Sequence, residues 1–204
     1  MKFLILFSIA FFAALAGRSQ DFFPKTNYPK SSFSYPVKIP VSLAGNYGEC
    51  RPNHFHSGID IRTNQQENIS LFSIGQGYIS RVSISEKGFG NCLFINHPGG
   101  FTSVYAHCNL FIGSLASYVK VQQYKQKKWA VDIQIAPHMF PVKKGTYLGK
   151  SGNTGSSQAP HLHLEIRDTK TEKTLNGLLF FNKMVDTNKP IISRLAVYDG
   201  TKSI

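Results

Sequence analysis

With 204 residues, 42% of them hydrophobic and only 17% charged, the chain is long enough for one domain with a sizeable core and too apolar for a disordered segment. The formal charge of +12 favours anionic partners, but Lys and Arg are spread along the chain without an RNP-like aromatic motif or a zinc-finger spacing, which argues against nucleic acid as the partner. Three Cys allow at most one internal disulfide, so a disulfide-stapled scaffold is excluded as well.

Residues 1–20 begin with Lys2, run through the apolar stretch Phe3 to Leu15 and end in small and polar residues, the pattern of a secretory signal peptide. The stretch is short of the roughly 20 residues that span a bilayer. Arg18 follows Leu15-Ala16-Gly17 where a lipoprotein carries Cys, so no lipid anchor is expected. The mature protein is therefore expected outside the cytoplasm, periplasmic or extracellular, without a transmembrane segment. Residues 21–40 hold four Pro and read as an extended lead-in.

A domain is expected over residues 41–185. Cys92 to Asn96 and Phe101 to His107 are strand-like runs around the turn-rich His97-Pro98-Gly99-Gly100. With simple antiparallel register, Cys92, Phe94, Ser103, Tyr105 and His107 share one face, while Leu93, Ile95, Val104 and Ala106 share the other, the core face. That register sets Cys92 and Cys108 on opposite faces and leaves a Cys50–Cys108 bridge open. Ser114 to Lys128 carries Leu115, Tyr118, Val119 and Gln122 at helical spacing, a short surface helix in an insertion. A strand, turn and strand follow from Tyr147 to Arg167. From residue 186 a further β segment is expected, which the end of the chain cuts short. Gly149-Lys150-Ser151 resembles the end of a phosphate-binding loop, but Lys144 stands where that loop needs Gly, so no nucleotide site is expected.

The chemistry lies in three short motifs. In His161 to Ile166 the alternation places His161, His163 and Glu165 on one face and Leu162, Leu164 and Ile166 on the other. The two imidazoles then stand about 6.6 Å apart, close enough for one to bind a metal and the other to act beside it. His56 and Asp60, in His56-Ser57-Gly58-Ile59-Asp60, would be about 13 Å apart on an extended strand, so Gly58 is expected to bend the chain and bring them together. Neutral imidazoles and a carboxylate are ligands that zinc accepts, and three of them leave a position open for water, whose pKa falls to about 7. Spacing alone does not choose between His161 and His163 as ligand, and His54, two residues from His56, is a further candidate. Arg51 and Asn53 are expected to line a groove. Glu165 is either an outer partner of a ligand or a general base. His97 and His138 lack partners in sequence and are expected at the surface.

Together, His56-Ser57-Gly58-Ile59-Asp60, Tyr105-Ala106-His107 and Ser151-Gly152-Asn153-Thr154-Gly155 leading into His161-Leu162-His163 resemble, in that order, the LytM/lysostaphin-type zinc metalloendopeptidases, over roughly residues 41–168. The resemblance implies a mainly β, antiparallel domain with a substrate groove over its central sheet. It implies one Zn2+ per chain held by His56, Asp60 and His163, with His107 and His161 as catalytic residues in proton transfer and oxyanion stabilisation. The implied activity is hydrolysis of cross-links or stem peptides of peptidoglycan. The rival from the same family is a non-catalytic wall-binding regulator that activates another hydrolase; members with that role typically lack ligands, and here all five residues are present. The segment Gly113 to Val142 exceeds the compact family core.

Overall fold

The computed structural model describes residues 28–29 and 33–181. The signal segment expected at 1–20 and the β segment expected from 186 lie outside the described residues. The elements run in the order β1 (Leu43–Gly45), β2 (Ile59–Arg62), β3 (Ser70–Phe72), β4 (Gly77–Ile84), β5 (Asn91–His97), β6 (Phe101–Ala106) and β7 (Cys108–Phe111). Helix α1 (Gly113–Gln126) follows, then β8 (Val131–Gln134), β9 (Pro141–Val142), β10 (Tyr147–Ser151), β11 (His161–Asp168), β12 (Thr174–Leu175) and a 3-10 turn (Gly177–Phe180). The fold is mainly β, as expected, with one α-helix among the described residues.

Two antiparallel sheets form among the described residues. The larger has the strand order β1-β2-β11-β6-β5-β4-β8, with β12 beside the end of β11 and β9 beside the start of β4. The smaller is β3-β10-β7. The strand-turn-strand stretch from Tyr147 to Arg167 is thus no simple hairpin, because β10 and β11 belong to different sheets joined by the single bridge Gly152 to His161. Period-two alternation places Ile59, Ile61, Leu162, Leu164 and Ile166 in the main core, which Leu115 and Val119 of α1 complete from four residues apart. The same alternation turns Asp60 and His163 to the opposite face, and pairing of β2 with β11 makes them direct cross-strand partners.

The β5–β6 register differs from the expectation by one residue. His97 pairs with Phe101, Ile95 with Ser103 and Leu93 with Tyr105. The turn is therefore the three residues Pro98-Gly99-Gly100, in which both glycines take left-handed φ values of 89° and 83°. Leu93, Ile95 and Tyr105 consequently face the main core, while Cys92, Phe94, Val104 and Ala106 form a small apolar cluster on the other face. Tyr105 and His107 do not share a face either. The Tyr105 hydroxyl donates to the Phe72 carbonyl at 3.1 Å and accepts from the Ile74 amide at 2.8 Å, inside the core. His107 has φ 59°, and this left-handed residue breaks the alternation between β6 and β7. Cys108 then lies in the main core, on the other side of the sheet from Cys92, and Cys50, Cys92 and Cys108 are all free thiols.

His97 corrects a second expectation. It is buried, not superficial: Nδ1 donates to the Gln76 carbonyl at 2.7 Å, Nε2 accepts from the Ser103 hydroxyl at 2.7 Å, and Phe33 lies 4.9 Å from its ring. His138 is exposed, as expected. Burial lowers the pKa of His97, with the bond to Gln76 partly opposing it. Because the unfolded chain takes up that proton first, near pH 6.5, stability falls as pH drops below this value. Denaturation midpoints of the parent and His97→Gln proteins measured from pH 7.5 to 5.5 are expected to show a shallower acid loss in the variant; parallel curves would contradict this.

Candidate metal centre

Three side chains converge on the face opposite the core. His163 Nδ1 lies 2.9 Å from Asp60 Oδ1, and His56 Nε2 lies 3.1 Å from both Asp60 Oδ1 and His163 Nδ1. One ligand atom from each of these three buried residues falls within 4.8 Å of the others, a donor set of two imidazoles and a carboxylate. The set fits a divalent transition metal of zinc type in its chemistry, and a buried cluster of this kind is what a resident cation would neutralise.

The local fold makes this possible. His56 precedes β2 and is held by a two-way backbone ladder, His56 N–H to the Glu49 carbonyl and Gly48 N–H to the His56 carbonyl, each 2.8 Å. The bend expected at Gly58 is present, but left-handed backbone is not the reason for glycine there. A Cβ at position 58 would stand 2.5 Å from the Leu164 carbonyl oxygen and 2.9 Å from both Glu165 Cγ and His163 Nε2. Only glycine lets the turn press against β11. Across β11, His163 faces the small Ala106 of β6, which leaves room above the sheet.

Partners one layer out fix each ring. His56 Nδ1 donates to the Asn46 carbonyl at 2.7 Å, which leaves Nε2 for the cluster. His163 is turned the other way: Nδ1 points into the cluster and Nε2 lies 3.1 Å from Glu165 Oε1. Glu165, fully buried, also accepts from the Ser57 hydroxyl and, through Oε2, from Arg167 Nε at 2.6 Å. Both of its oxygens are thereby engaged away from the cluster, which fits an outer partner of His163 and not a general base. Burial pushes the Glu165 carboxyl up, but bonds to His163 and the Arg167 charge outweigh it and hold its pKa low. Asp60 follows the same logic: burial raises it, and hydrogen bonds from His161, His163 and His56 bring it far below the usual carboxylate range.

His107 and His161 sit beside the cluster with their rings 4.8 Å apart. His161 Nδ1 donates to the Ala159 carbonyl at 2.8 Å, and its Nε2 stands 3.4 Å from Asp60 Oδ1. His107 Nδ1 donates to the Thr154 carbonyl at 2.8 Å. Burial lowers its pKa to about 4, against the bond to Thr154. The glycine-rich loop before β11 supplies that carbonyl, and Thr154 Oγ1 ties it to the Cys108 carbonyl and the Asn91 amide, both at 3.0 Å. Gly155, with φ 75°, is packed so closely that a Cβ would meet the Gly88 oxygen at 2.4 Å.

The five expected site residues are thus brought together, and His54 is not among them; it is exposed and turned to Asn53 at 2.6 Å. Arg51 was legible only as a groove residue. Its Nη2 lies 3.1 Å from Asp60 Oδ2 and 3.3 Å from Glu49 Oε2, engaging the carboxylate oxygen that faces away from the histidines. Phe89, whose ring is 5.3 Å from that of His163, was missed, since nothing in its sequence context marks it.

Residues 54–126 match the model of Peptidase family M23. The cell division protein DipM of Caulobacter vibrioides is 26% identical over 144 residues, 71% of this chain and 19% of that protein. The chain thus spans about a fifth of the length of the curated relatives it matches. Among solved structures, the catalytic domain of the antimicrobial peptidase lysostaphin from Staphylococcus simulans has a TM-score of 0.51 at 21% identity, over 69% of this chain and 91% of that one. A chain of the SpoIIQ–SpoIIIAH pore-forming complex has a TM-score of 0.54 at 18% identity, over 75% and 92%.

Proposed function

We propose that this chain, whose residues 54–126 match the model of Peptidase family M23 and whose fold is of the LytM/lysostaphin type, is an exported zinc metalloendopeptidase acting on the peptide cross-links or stem peptides of peptidoglycan. The observation that carries the reading is the buried His56, Asp60 and His163 triad flanked by His107 and His161. A fold alone does not select catalysis, since a similar one occurs in the SpoIIQ–SpoIIIAH complex. A wall-binding regulator would need neither the convergent ligands nor the paired imidazoles beside them.

His56 Nε2, Asp60 and His163 Nδ1 would hold one Zn2+ per chain. When bound, zinc supplies a Lewis acid that polarises the amide carbonyl and makes water a nucleophile near neutral pH. The chain's own groups do the rest. Asn46 and Glu165 hold the two ligand rings in register, and Arg51 anchors the carboxylate. His161 and His107, each with Nδ1–H committed to a backbone carbonyl, keep the Nε2 lone pair available to take a proton from the attacking water, and the imidazolium so formed donates to the carbonyl oxygen as charge develops on it. No helix among the described residues is long and apolar enough to cross a membrane. Secretion rests on the Met1 to Gln20 segment.

Treatment with a strong zinc chelator is expected to abolish cleavage of purified cross-linked muropeptides, and one equivalent of zinc to restore it. Zinc-loaded protein that leaves the muropeptides intact would instead favour the regulator.

A further inference from the structure

The insertion between β7 and β10 carries a second concave surface, at the β8 edge of the large sheet. Lys120, Gln123, Tyr124, Lys127, Lys128 and Trp129 line a cleft of about 460 Å³, within the size range of small-ligand sites. Tyr124 and Trp129 are 72% and 56% exposed, an unusual outlay of aromatic area to water. Their placement is built. Lys127 takes the left-handed conformation with φ 50°, and its N–H and that of Lys128 close on the Tyr124 and Gln123 carbonyls at 3.2 and 3.1 Å. Gln123 Nε2 then donates to the Trp129 carbonyl at 2.6 Å, drawing the loop back over the helix end.

The charge is one-sided. Residues 113–131 contain Lys120, Lys125, Lys127 and Lys128 and no acidic residue. The first acid beyond, Asp132, is taken by Arg81 in a two-point pair at 2.6 Å for each contact. The Lys120 ammonium stands 6.0 Å from the Tyr124 ring. Exposed aromatic faces between cations suit a ligand that has an apolar ring face and a carboxylate nearby, which is the chemistry of a pyranose ring with an acidic group attached. A bilayer fits less well, because the apolar positions Leu115 and Val119 of α1 are spent on the core and the outer surface is concave. Single-stranded nucleic acid would need a basic groove that tracks several phosphates, and this cleft is one short pocket.

We infer that the Tyr124–Trp129 cleft is a second docking site for the wall polymer, in which a sugar ring stacks on the aromatic pair while stem-peptide carboxylates meet Lys120, Lys127 and Lys128. The inference rests on the proposed wall substrate but not on its cleavage. Four strand steps, about 19 Å along the sheet, separate β11 from β8, and α1 packs on the core face while the His56, Asp60 and His163 cluster lies on the other, so the cleft holds substrate without entering the chemistry.

The test is sedimentation of the protein with purified peptidoglycan sacculi, in the presence of chelator so that nothing is cut, at about 0.15 M salt. Trp129→Ala is expected to weaken binding at least tenfold, about what loss of one stacked aromatic costs, and Lys127→Glu with Lys128→Glu to weaken it comparably. Both variants are expected to keep the parent melting temperature and the parent rate on a sugar-free cross-linked peptide. Parent-like binding of Trp129→Ala to sacculi would overturn the proposal. So would parent binding to phosphatidylglycerol vesicles or oligo(dT) that is tighter than to sacculi and is lost in Trp129→Ala. Absence of peptide cleavage with intact, Trp129-dependent binding would instead defeat the catalytic reading and leave the docking site standing.

Discussion

His163→Ala is expected to lose zinc and to cut nothing. Its Nδ1 is one of the three atoms that would hold zinc, and the two that would remain, from His56 and Asp60, form only part of the set that zinc requires. His56→Ala and Asp60→Ala are expected to behave alike. Glu165→Gln should act in the same direction at smaller size. It keeps the shape but weakens the acceptor for His163 Nε2–H and leaves Arg167 without its carboxylate, and loss of such an outer partner typically costs about 10- to 100-fold in metal affinity. Elemental analysis after dialysis against metal-free buffer, together with competition against a chromogenic chelator, measures both. Full zinc in His163→Ala with zinc lost in His161→Ala would reverse the assignment of the pair.

His161→Ala and His107→Ala are expected to keep most of their zinc and to lose at least about a hundredfold in cleavage rate, the lower end of what a positioned acid–base group contributes. The geometry separates them from the three proposed ligands. His161 Nε2 approaches Asp60 Oδ1 only to 3.4 Å, whereas His163 Nδ1 comes to 2.9 Å, and the His107 ring centroid lies 5.9 Å from that of His163. The loss is expected mainly in kcat, because both rings act on charge that develops during the reaction. Cleavage rates on a cross-linked muropeptide, paired with zinc content of the same preparations, decide the matter. Unchanged rates in both variants would remove them from the mechanism.

Much of this site was readable because β-strand alternation is a rigid rule. Leu162, Leu164 and Ile166 had to face a core, so His161, His163 and Glu165 had to share the other face. The bend at Gly58 was readable as well, although the reason for glycine, contact with the Leu164 carbonyl, depends on a strand more than 100 residues away. What failed were quantities set by single residues or by distant contacts. The β5–β6 register turned on whether His97 belonged to the turn or to the strand, and a one-residue change moved Tyr105 into the core and Val104 out of it. His97 itself gave no sign of burial, because its partners, Gln76 and Phe33, arrive from other parts of the chain. Arg51 on Asp60 was likewise a tertiary contact without a local pattern. The split between His161 and His163 is visible only once Glu165 is seen to take Nε2 of one and the Ala159 carbonyl to take Nδ1 of the other.

The most direct measurement is digestion of purified peptidoglycan sacculi by the zinc-loaded protein, with mass analysis of the released fragments. The expected result is soluble fragments whose masses show addition of water across a peptide bond, with a new amine and a new carboxylate and intact glycan linkages, and none released by the Asp60→Ala protein. Sacculi left whole by protein that carries one zinc per chain, or fragments produced by cleavage of the glycan, would contradict it.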